Sequence, residues 1–293
     1  MDSESISIII PAKNEAKSLA RLCPKLKALY PKAEIIIVND GSTDSTQEVA
    51  EAYGVRVIHH PYSMGNGAAI KAGARAAENP ILLFMDGDGQ HRPEDIQKLL
   101  QTLHNGHTMA VGARSFKSQA SAGRGVANKI YNLLASYMTG QNVEDLTSGF
   151  RAVHADKFKE FLSLLPNGFS YPTTITMAFF RSGYPIAYVP IEAPRREGKS
   201  HINPMRDGIR FLMVIFKLGT LYSPLKIFFP ISLIFFVTGL AYYLFTFFTL
   251  GRFTNMSALL FTTSVIVFLI GLVSEQITQL MYNSPAHHRN EKL

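Results

Sequence analysis

"PILLFMDGDGQH", Pro80 to His91, decides how this chain is read. An apolar run drives straight into Asp86 and Asp88, which only Gly87 separates. A short continuous apolar run bounded by turn residues reads as a strand buried on both faces, the kind found in parallel sheets covered by helices. In an extended backbone the two carboxylates at its end point the same way. Held that close they repel, and one tends to take up a proton unless a cation stands between them. Mg²⁺ or Mn²⁺, hard ions that accept carboxylate and phosphate oxygens, would resolve the repulsion. A solvated turn with two incidental aspartates fits the same letters, because Asp-Gly is ordinary turn chemistry.

The neighbouring sequence repeats the pattern. "ISIII" (Ile6 to Ile10), "EIIIVND" (Glu34 to Asp40), the weaker "VRVIHH" and "MAVGAR" (Met109 to Arg114) read as further strands. Helical segments fall between them at Glu15 to Leu29, Asp44 to Tyr53, Gly67 to Glu78 and Pro93 to Leu103. Strands alternating with helices predict an α/β fold with a doubly wound, mostly parallel sheet. Ligands bind such sheets at the carboxyl ends of the strands. Polar residues gather at those ends here: Pro11-Ala12-Lys13-Asn14-Glu15, Asp40-Gly41-Ser42 and Asp86-Gly87-Asp88. In "VNDGSTDST" one of Ser42, Thr43 or Asp44 is expected to cap the following helix, leaving Asp40 free to accept hydrogen bonds from a base or ribose. "PYSMGNGAAIKAG", with Gly65 and Lys71, is a glycine-rich helix entry suited to an anion. The chain has neither a Walker-type loop nor a GxGxxG after its first strand, so no nucleotide reading rests on those.

Composition changes after about residue 200. No charged residue lies between Lys226 and Arg252, and none between Arg252 and Glu275. Each run is long enough for a hydrocarbon core about 30 Å thick at about 1.5 Å per residue. The expected organisation is a catalytic domain over 1–202, an interfacial amphipathic region over 203–226, spans over 227–251 and 253–282, and a tail over 283–293. Lys217 and Lys226 precede the first span, Arg289 and Lys292 follow the second, and Arg252 alone lies in the loop. The positive-inside rule then predicts a multi-pass membrane protein with its large domain in the cytoplasm. The start "MDSESISIII" is acidic and runs into a strand, unlike a signal peptide. The one cysteine, Cys23, excludes an intramolecular disulfide and fits a reducing compartment. The net charge of +7 fits attraction to anionic lipid headgroups or a phosphate-bearing ligand. No nucleic-acid partner is expected.

"IIIPAKNE", "IVNDGSTDST", "YSMGNGAAIKAG", "FMDGDGQHRPEDI" and "DLTSGFRA" occur in this order. Together they resemble the family-2 inverting glycosyltransferases. With the C-terminal hairpin they resemble the polyprenyl-phosphate branch, which includes dolichyl-phosphate mannose synthases and undecaprenyl-phosphate glucosyltransferases. The resemblance covers about residues 5 to 282. It implies a GT-A-like fold that transfers a hexose from UDP-glucose, UDP-GlcNAc or GDP-mannose to a polyprenyl phosphate at the cytoplasmic membrane face. A glycolipid or polysaccharide acceptor is the alternative. Four protomers associate in some relatives, and nothing in this sequence fixes the number.

The resemblance also implies roles by position. Pro11, Ala12, Asn14 and Glu15 match the segment lining the nucleobase pocket, and Asp40 the aspartate that bonds the base. Asp86 and Asp88 match the Asp-x-Asp motif that holds Mg²⁺ or Mn²⁺ on the donor diphosphate, and Gln90 follows as in relatives. Asp145 matches the aspartate taken as catalytic base. A lipid phosphate acceptor is already anionic and needs positioning more than deprotonation, so orienting Arg151 or capping a helix stays open for it. Arg114 and Arg124 match residues holding the acceptor phosphate, and Arg196 and Lys199 a basic loop near the phosphates and membrane. His91 is expected at the surface, with contact to phosphate or metal as the alternative, and Glu275 either to mark a functional position in the membrane or to snorkel or pair with Lys226. The segment Pro-Ala-Lys-Asn-Glu, where mannose synthases commonly carry Thr and Tyr, leaves donor sugar and base open. So does the absence of an acidic residue in "SYPTTITMAFF".

Overall fold

The structure, a computed structural model, describes residues 6–114, 122–168, 171–192, 219–220 and 222–282, with backbone alone for 122–128 and 282. It divides into two compact units, Met1–Ser200 and His201–Leu293.

The first unit runs β1 (Ile6–Ala12), α1 (Ala16–Leu29), β2 (Glu34–Asp40), α2 (Thr46–Ala52), β3 (Arg56–His60), α3 (Asn66–Ala76) and β4 (Ile81–Phe84). A single turn of 3₁₀ helix, Pro93–Asp95, leads into α4 (Ile96–His104) and β5 (Met109–Arg114). Then follow α5 (Ala122–Thr139), β6 (Arg151–His154), α6 (Ala155–Glu160), α7 (Tyr171–Arg181) and β7 (Ile186–Ile191). The seven strands lie in the order β3-β2-β1-β4-β6-β5-β7. Ile8, Ile9, Ile10, Ile36, Ile37 and Val38 are fully buried, as are Leu82, Leu83 and Phe84, so the central strands are covered on both faces. That burial is why they read as unbroken apolar runs and not as alternating ones. The α/β, mostly parallel architecture expected from the sequence is the one present.

One strand breaks the parallel pattern, and the site depends on it. β6 runs antiparallel to both β4 and β5, with Arg151 in register with Phe84 on one side and Val111 on the other. A strand inserted in reverse begins at the edge where its neighbours end. The residues leading into β6 therefore arrive beside Asp86 and Arg114.

Close packing fixes the remaining elements. Pro24 lies inside α1, where it can give no hydrogen bond to the Ala20 carbonyl, and the Tyr53 hydroxyl donates to that carbonyl instead (3.1 Å). A Cβ on Gly73 of α3 would stand 2.4 Å from Ile9 Cγ2 in the centre of the sheet.

The second unit contains α8 (Pro224–Leu250) and α9 (Asn255–Tyr282). α8 begins three residues before the expected span, placing Lys226 in its first turn. It ends at Gly251 in the left-handed conformation. Both helices are long and apolar enough to cross a membrane. Only 11% and 17% of their most apolar stretches are buried, which is unlike the core helices of a soluble domain. Their polar groups meet each other: Ser232 and Ser264 each donate a hydroxyl to the other's carbonyl (3.0 and 2.9 Å). Gly239 lets α8 approach Leu260 and Phe261 closely. Glu275 accepts the backbone N–H of Leu225 (3.3 Å), so its carboxylate sits at the N-terminus of α8, where the helix dipole favours it. Of the expected amphipathic region at 203–226, residues 203–218 and 221 lie outside the described residues.

Gly73→Ala tests the α3–sheet contact. In an open helix position this change stabilises by up to about 1 kcal/mol. Here the added methyl meets a buried, branched side chain, and a net loss of about 1–3 kcal/mol is expected, read as a lower melting temperature of the full chain in detergent. A raised melting temperature would contradict the packing.

Candidate active site

Four segments converge at the carboxyl edge of the sheet. The loops after β1 and β2 are bound to each other. The N–H groups of Asn14, Glu15 and Ala16 donate to Ser42 Oγ, Thr46 Oγ1 and Asp44 Oδ2 (3.0, 3.0 and 3.3 Å), and Asn14 Oδ1 accepts the Thr43 N–H (2.8 Å). The start of α1 is thus capped by side chains about thirty positions away. Asn14 itself adopts φ +58°, a left-handed conformation that asparagine tolerates. The cap expected for α2 differs. Ser45 occupies the N-cap and makes no capping bond, while Asp44 Oδ1 takes the Thr46 N–H (3.0 Å).

Gly87 is the residue that lets the acidic turn settle on this edge. A Cβ there would lie 3.2 Å from the Pro11 carbonyl oxygen and 3.6 Å from Ala12 Cβ. On the other side a Cβ on Gly149 would stand 3.1 Å from the Asp86 carboxylate. Pro11, Ala12, Asp86 and the approach to β6 are therefore in one place. Asp88 Oδ1 accepts the Gln90 N–H (3.0 Å). Asn14, Glu15, Asp88 and Gln90 line a single cleft of about 690 Å³ between the start of α1 and the 88–94 turn.

His91 is buried, not at the surface. Its ring stacks on Phe150 with centroids 4.8 Å apart, and its Nδ1 accepts the Asp86 N–H (3.1 Å). The proton of the neutral ring is therefore on Nε2, which lies 4.0 Å from Asp86 Oδ2. Burial pushes its pKa down to about 4.

Arg114, at the end of β5, and Asp145 form a two-pronged pair: Nε donates to Oδ2 (2.8 Å) and Nη2 to Oδ1 (3.0 Å). The Arg114 N–H also reaches Oδ2 (3.2 Å), and the N–H groups of Thr147 and Ser148 reach Oδ1 (3.1 Å each). Burial alone would raise the Asp145 carboxyl, but the guanidinium and these donors outweigh it and hold the group below the usual carboxylate range. A carboxylate so fully engaged is poorly suited to collect a proton. Asp145, expected as a base, as the partner of Arg151 or as a helix cap, is paired here with Arg114. The Arg114 Nη1 has no hydrogen-bond partner among the described residues, and its side chain is 28% exposed. Arg151 lies wholly buried beneath and contacts no carboxylate among the described residues. It donates to the carbonyls of Ser148 (2.7 Å) and Leu146 (3.2 Å) and to Thr176 Oγ1 on α7 (2.6 Å), and so braces the 145–149 segment.

Asp40 is not free. It is 4% exposed and accepts from His60 Nδ1, Ser63 Oγ, and the N–H groups of Met64 and Gly65 (2.7, 2.8, 2.8 and 2.9 Å). It organises the glycine-rich entry to α3 rather than presenting an open acceptor. Lys71 donates to the Leu165 carbonyl (3.0 Å) and to Asn167. Gly65, at φ +101°, caps α3 against the Asn167 backbone. The Arg124 side chain and all of Arg196 and Lys199 lie outside the described residues. The sequence reading sets His91 at the surface and Arg151 against Asp145, and so misses the burial of the one and the bracing contacts of the other. Their only sequence signals are a histidine directly after the acidic turn and an arginine inside the otherwise apolar "GFRAV".

No group of three or more His, Cys, Asp and Glu side chains suited to a metal occurs among the described residues. Asp86, with a 40% exposed side chain, and Asp88 offer two carboxylates. That donor set fits a Mg²⁺ or Mn²⁺ ion whose remaining ligands come from phosphate and water.

The family model described as glycosyl transferase family 2 matches residues 7–162, and one described as the GtrB C-terminal hairpin matches residues 223–280. Glycosyltransferase AglJ of Haloferax volcanii is 28% identical over 243 residues, 81% of this chain and 79% of that one. Polyprenol monophosphomannose synthase of Mycolicibacterium smegmatis is 28% identical over 205 residues, 65% of this chain and 77% of its own. Among solved structures, glucosyl-3-phosphoglycerate synthase from Mycobacterium tuberculosis, in complex with Mn²⁺, UDP and glucosyl-3-phosphoglycerate, superposes with a TM-score of 0.58 at 20% identity. That match covers 73% of this chain and 78% of that one, a likeness of fold.

The His91 environment has a pH signature. The unfolded chain protonates this ring near 6.5 and the folded chain only at about 4. Between those values the unfolded state holds more protons, so the contribution is complete above about 6.5 and is lost as pH falls toward 4. Ring ¹⁵N resonances, assigned with a His91→Gln variant, should stay those of the neutral Nε2–H form down to about pH 4. A midpoint near 6.5 would contradict the burial.

Proposed function

We propose, for a chain that belongs to glycosyl transferase family 2 and is a glycosyltransferase, that it transfers a hexose from a nucleotide diphosphate sugar to a polyprenyl phosphate, with inversion, at the cytoplasmic face of a membrane. The observation that carries the reading is the meeting of opposite charges on one edge: the Asp86–Asp88 pair beside an Arg114 held rigid by Asp145. The acidic pair suits a metal-bound diphosphate, and the arginine suits a second, separate anion. Relatives named for polyprenyl-phosphate chemistry and the apolar hairpin support a lipid for that second anion.

In this scheme Asp88, with Asp86, would hold the Mg²⁺ or Mn²⁺, which would supply charge stabilisation to the departing diphosphate. Asn14, Glu15 and Gln90 border the cleft that receives the donor. Pro11 and Ala12 lie against Gly87 of the acidic turn. Arg114 Nη1 receives the acceptor phosphate. An oxygen of that phosphate attacks the anomeric carbon as the bond from carbon to diphosphate oxygen breaks. The products are a nucleoside diphosphate and a β-linked lipid phosphosugar. A phosphate monoester is already ionised at neutral pH, its second pKa being about 6, so no protein base is needed. Asp145 then acts by fixing Arg114, and Arg151 by bracing the segment that carries Asp145. Arg124, Arg196 and Lys199 are assigned to the same anion by family position alone.

The experiment is transfer of radiolabel from UDP-glucose, UDP-GlcNAc or GDP-mannose, with Mn²⁺ or Mg²⁺, into the lipid phase containing polyprenyl phosphate. One donor should label the lipid through a linkage cleaved by mild acid. Asp88→Asn, still folded by its melting profile, should lose about a hundredfold or more of that activity. No lipid label from any donor, with a nucleotide still raising the melting temperature, would mean binding without transfer. An acid-stable label would point to a glycolipid product.

The pH profile separates positioning from base catalysis. Asp145 stays ionised at all pH values above the ordinary carboxylate range, and its contribution to stability is lost only as pH falls below that range. The acid limb of kcat/KM should therefore track the acceptor phosphate, near pH 6, and persist in Asp145→Asn. Disappearance of the limb in that variant would restore Asp145 as the base.

A further inference from the structure

The Met85 N–H, just past β4, still donates to the Ile9 carbonyl of β1 (3.2 Å). The next N–H along the chain, that of Asp86, goes to His91 Nδ1, five residues on (3.1 Å). The loop so closed holds both acids and two glycines, Gly87 and Gly89, the second at φ +76°. Glycine keeps more backbone freedom than any other residue. Two carboxylates in such a loop also repel and push it open. Left to itself this loop would sample many shapes, few of them suited to one cation. The His91 bond closes its base, and the Gln90 N–H donating to Asp88 Oδ1 (3.0 Å) tightens its tip.

The closing residue is itself anchored. The His91 ring is buried and lies nearly flat on Phe150, with the two planes 17° apart. Phe150 is fully buried, and its carbonyl accepts the Gly112 N–H of β5 (2.9 Å). A Cβ on Gly112 would stand 2.8 Å from Phe150 Cδ1, so the phenyl ring is pressed on the β5 backbone. The nitrogens of His91 decide what it can do. Nδ1 accepts a backbone N–H, and the proton of the neutral ring is on Nε2, so neither nitrogen is open to a metal. Nε2 lies 4.0 Å from Asp86 Oδ2, too far for a hydrogen bond. The ring therefore bears on Asp86 through its backbone and not through its carboxylate.

We infer that His91 is a positioning residue for the cation: it binds no metal itself, and it fixes the 86–91 loop so that Asp86 and Asp88 are presented together. The inference rests on the metal-bound diphosphate reading proposed above. Two contributions of His91 are separable, the acceptor atom given to the loop and the ring given to the core. Only the first is needed for positioning. Asparagine can offer an acceptor oxygen close to where Nδ1 stands and has no ring. Phenylalanine keeps the ring against Phe150 and leaves the Asp86 N–H without this acceptor.

The full chain in detergent, as wild type, His91→Asn and His91→Phe, is titrated with Mn²⁺ in the presence of UDP and, separately, GDP. Free Mn²⁺ is read by electron paramagnetic resonance, and melting profiles are recorded beside it. His91→Phe should weaken Mn²⁺ binding about tenfold or more, because a donor loses its acceptor, while melting near the wild-type temperature. His91→Asn should bind Mn²⁺ within about threefold of wild type, since the acceptor is kept, while melting lower. This crossed order of affinity and stability is one that a purely structural histidine would not give. Pulsed spectra of Mn²⁺ bound to the wild type should show no imidazole nitrogen coupling, a test that needs no variant to fold. Wild-type affinity in a folded His91→Phe, or equal losses in both variants, would overturn the inference and leave the metal reading standing. An imidazole coupling would make His91 a ligand and would also overturn it. Failure of the wild type to bind Mn²⁺ with either nucleotide would overturn the metal reading itself, and the inference with it.

Discussion

The pair between Arg114 and Asp145 joins the end of β5 to the approach to β6, and the chemistry of the edge follows from it. A lone guanidinium on a surface strand end samples many rotamers and binds an anion weakly. Gripped at Nε and Nη2, it keeps one orientation with Nη1 turned out. The grip works only because Asp145 is itself immobile, held by backbone donors at Thr147 and Ser148. Beneath them Arg151 ties Leu146 and Ser148 to Thr176 on α7. Removing one partner of such a buried set costs more than the pair contributes, because the remaining charge is stranded. The edge is preorganised before any substrate arrives, which is what catalysis by positioning requires.

Topology makes the pair available. In an all-parallel sheet the residues preceding a strand lie at the opposite edge from those following its neighbours. Reversing β6 puts its leading residues beside the trailing residues of β4 and β5. Gly87 and Gly149 then ease the close approach of the β1 end, the acidic turn and the β6 approach, where an added Cβ would press on the Pro11 carbonyl and the Asp86 carboxylate. An acid pair and a fixed arginine thus stand together, with Asp145 occupying Nε and Nη2 of the arginine.

The first half of the fold was legible because each central strand is a continuous apolar run ending in turn residues, and β2 and β5 fall at the expected positions. The second half was not. β6 is four residues long and opens on an arginine, and β7 is only half buried, so neither shows a strand period. Site residues were legible as letters and less so as roles. Asp40 ends a strand as a ligand-binding aspartate would, but its partners His60, Ser63, Met64 and Gly65 come from twenty or more positions away. His91 carries no sign in the sequence that Phe150 will cover it. Residue type and order revealed which segments meet, whereas hydrogen bonding across the fold decided which side chains remain available to a ligand.

The account's central claim is that Asp145 acts through Arg114 and not on its own. A double-mutant cycle on kcat/KM for the lipid acceptor tests it most directly, using Arg114→Lys, Asp145→Asn and the combined variant, each checked for folding. Groups that act as one unit give strongly non-additive losses. The account predicts that the double variant is impaired about as much as the worse single variant. Losses that multiply would show two independent contributions, an anion receptor and a separate base, and would contradict it.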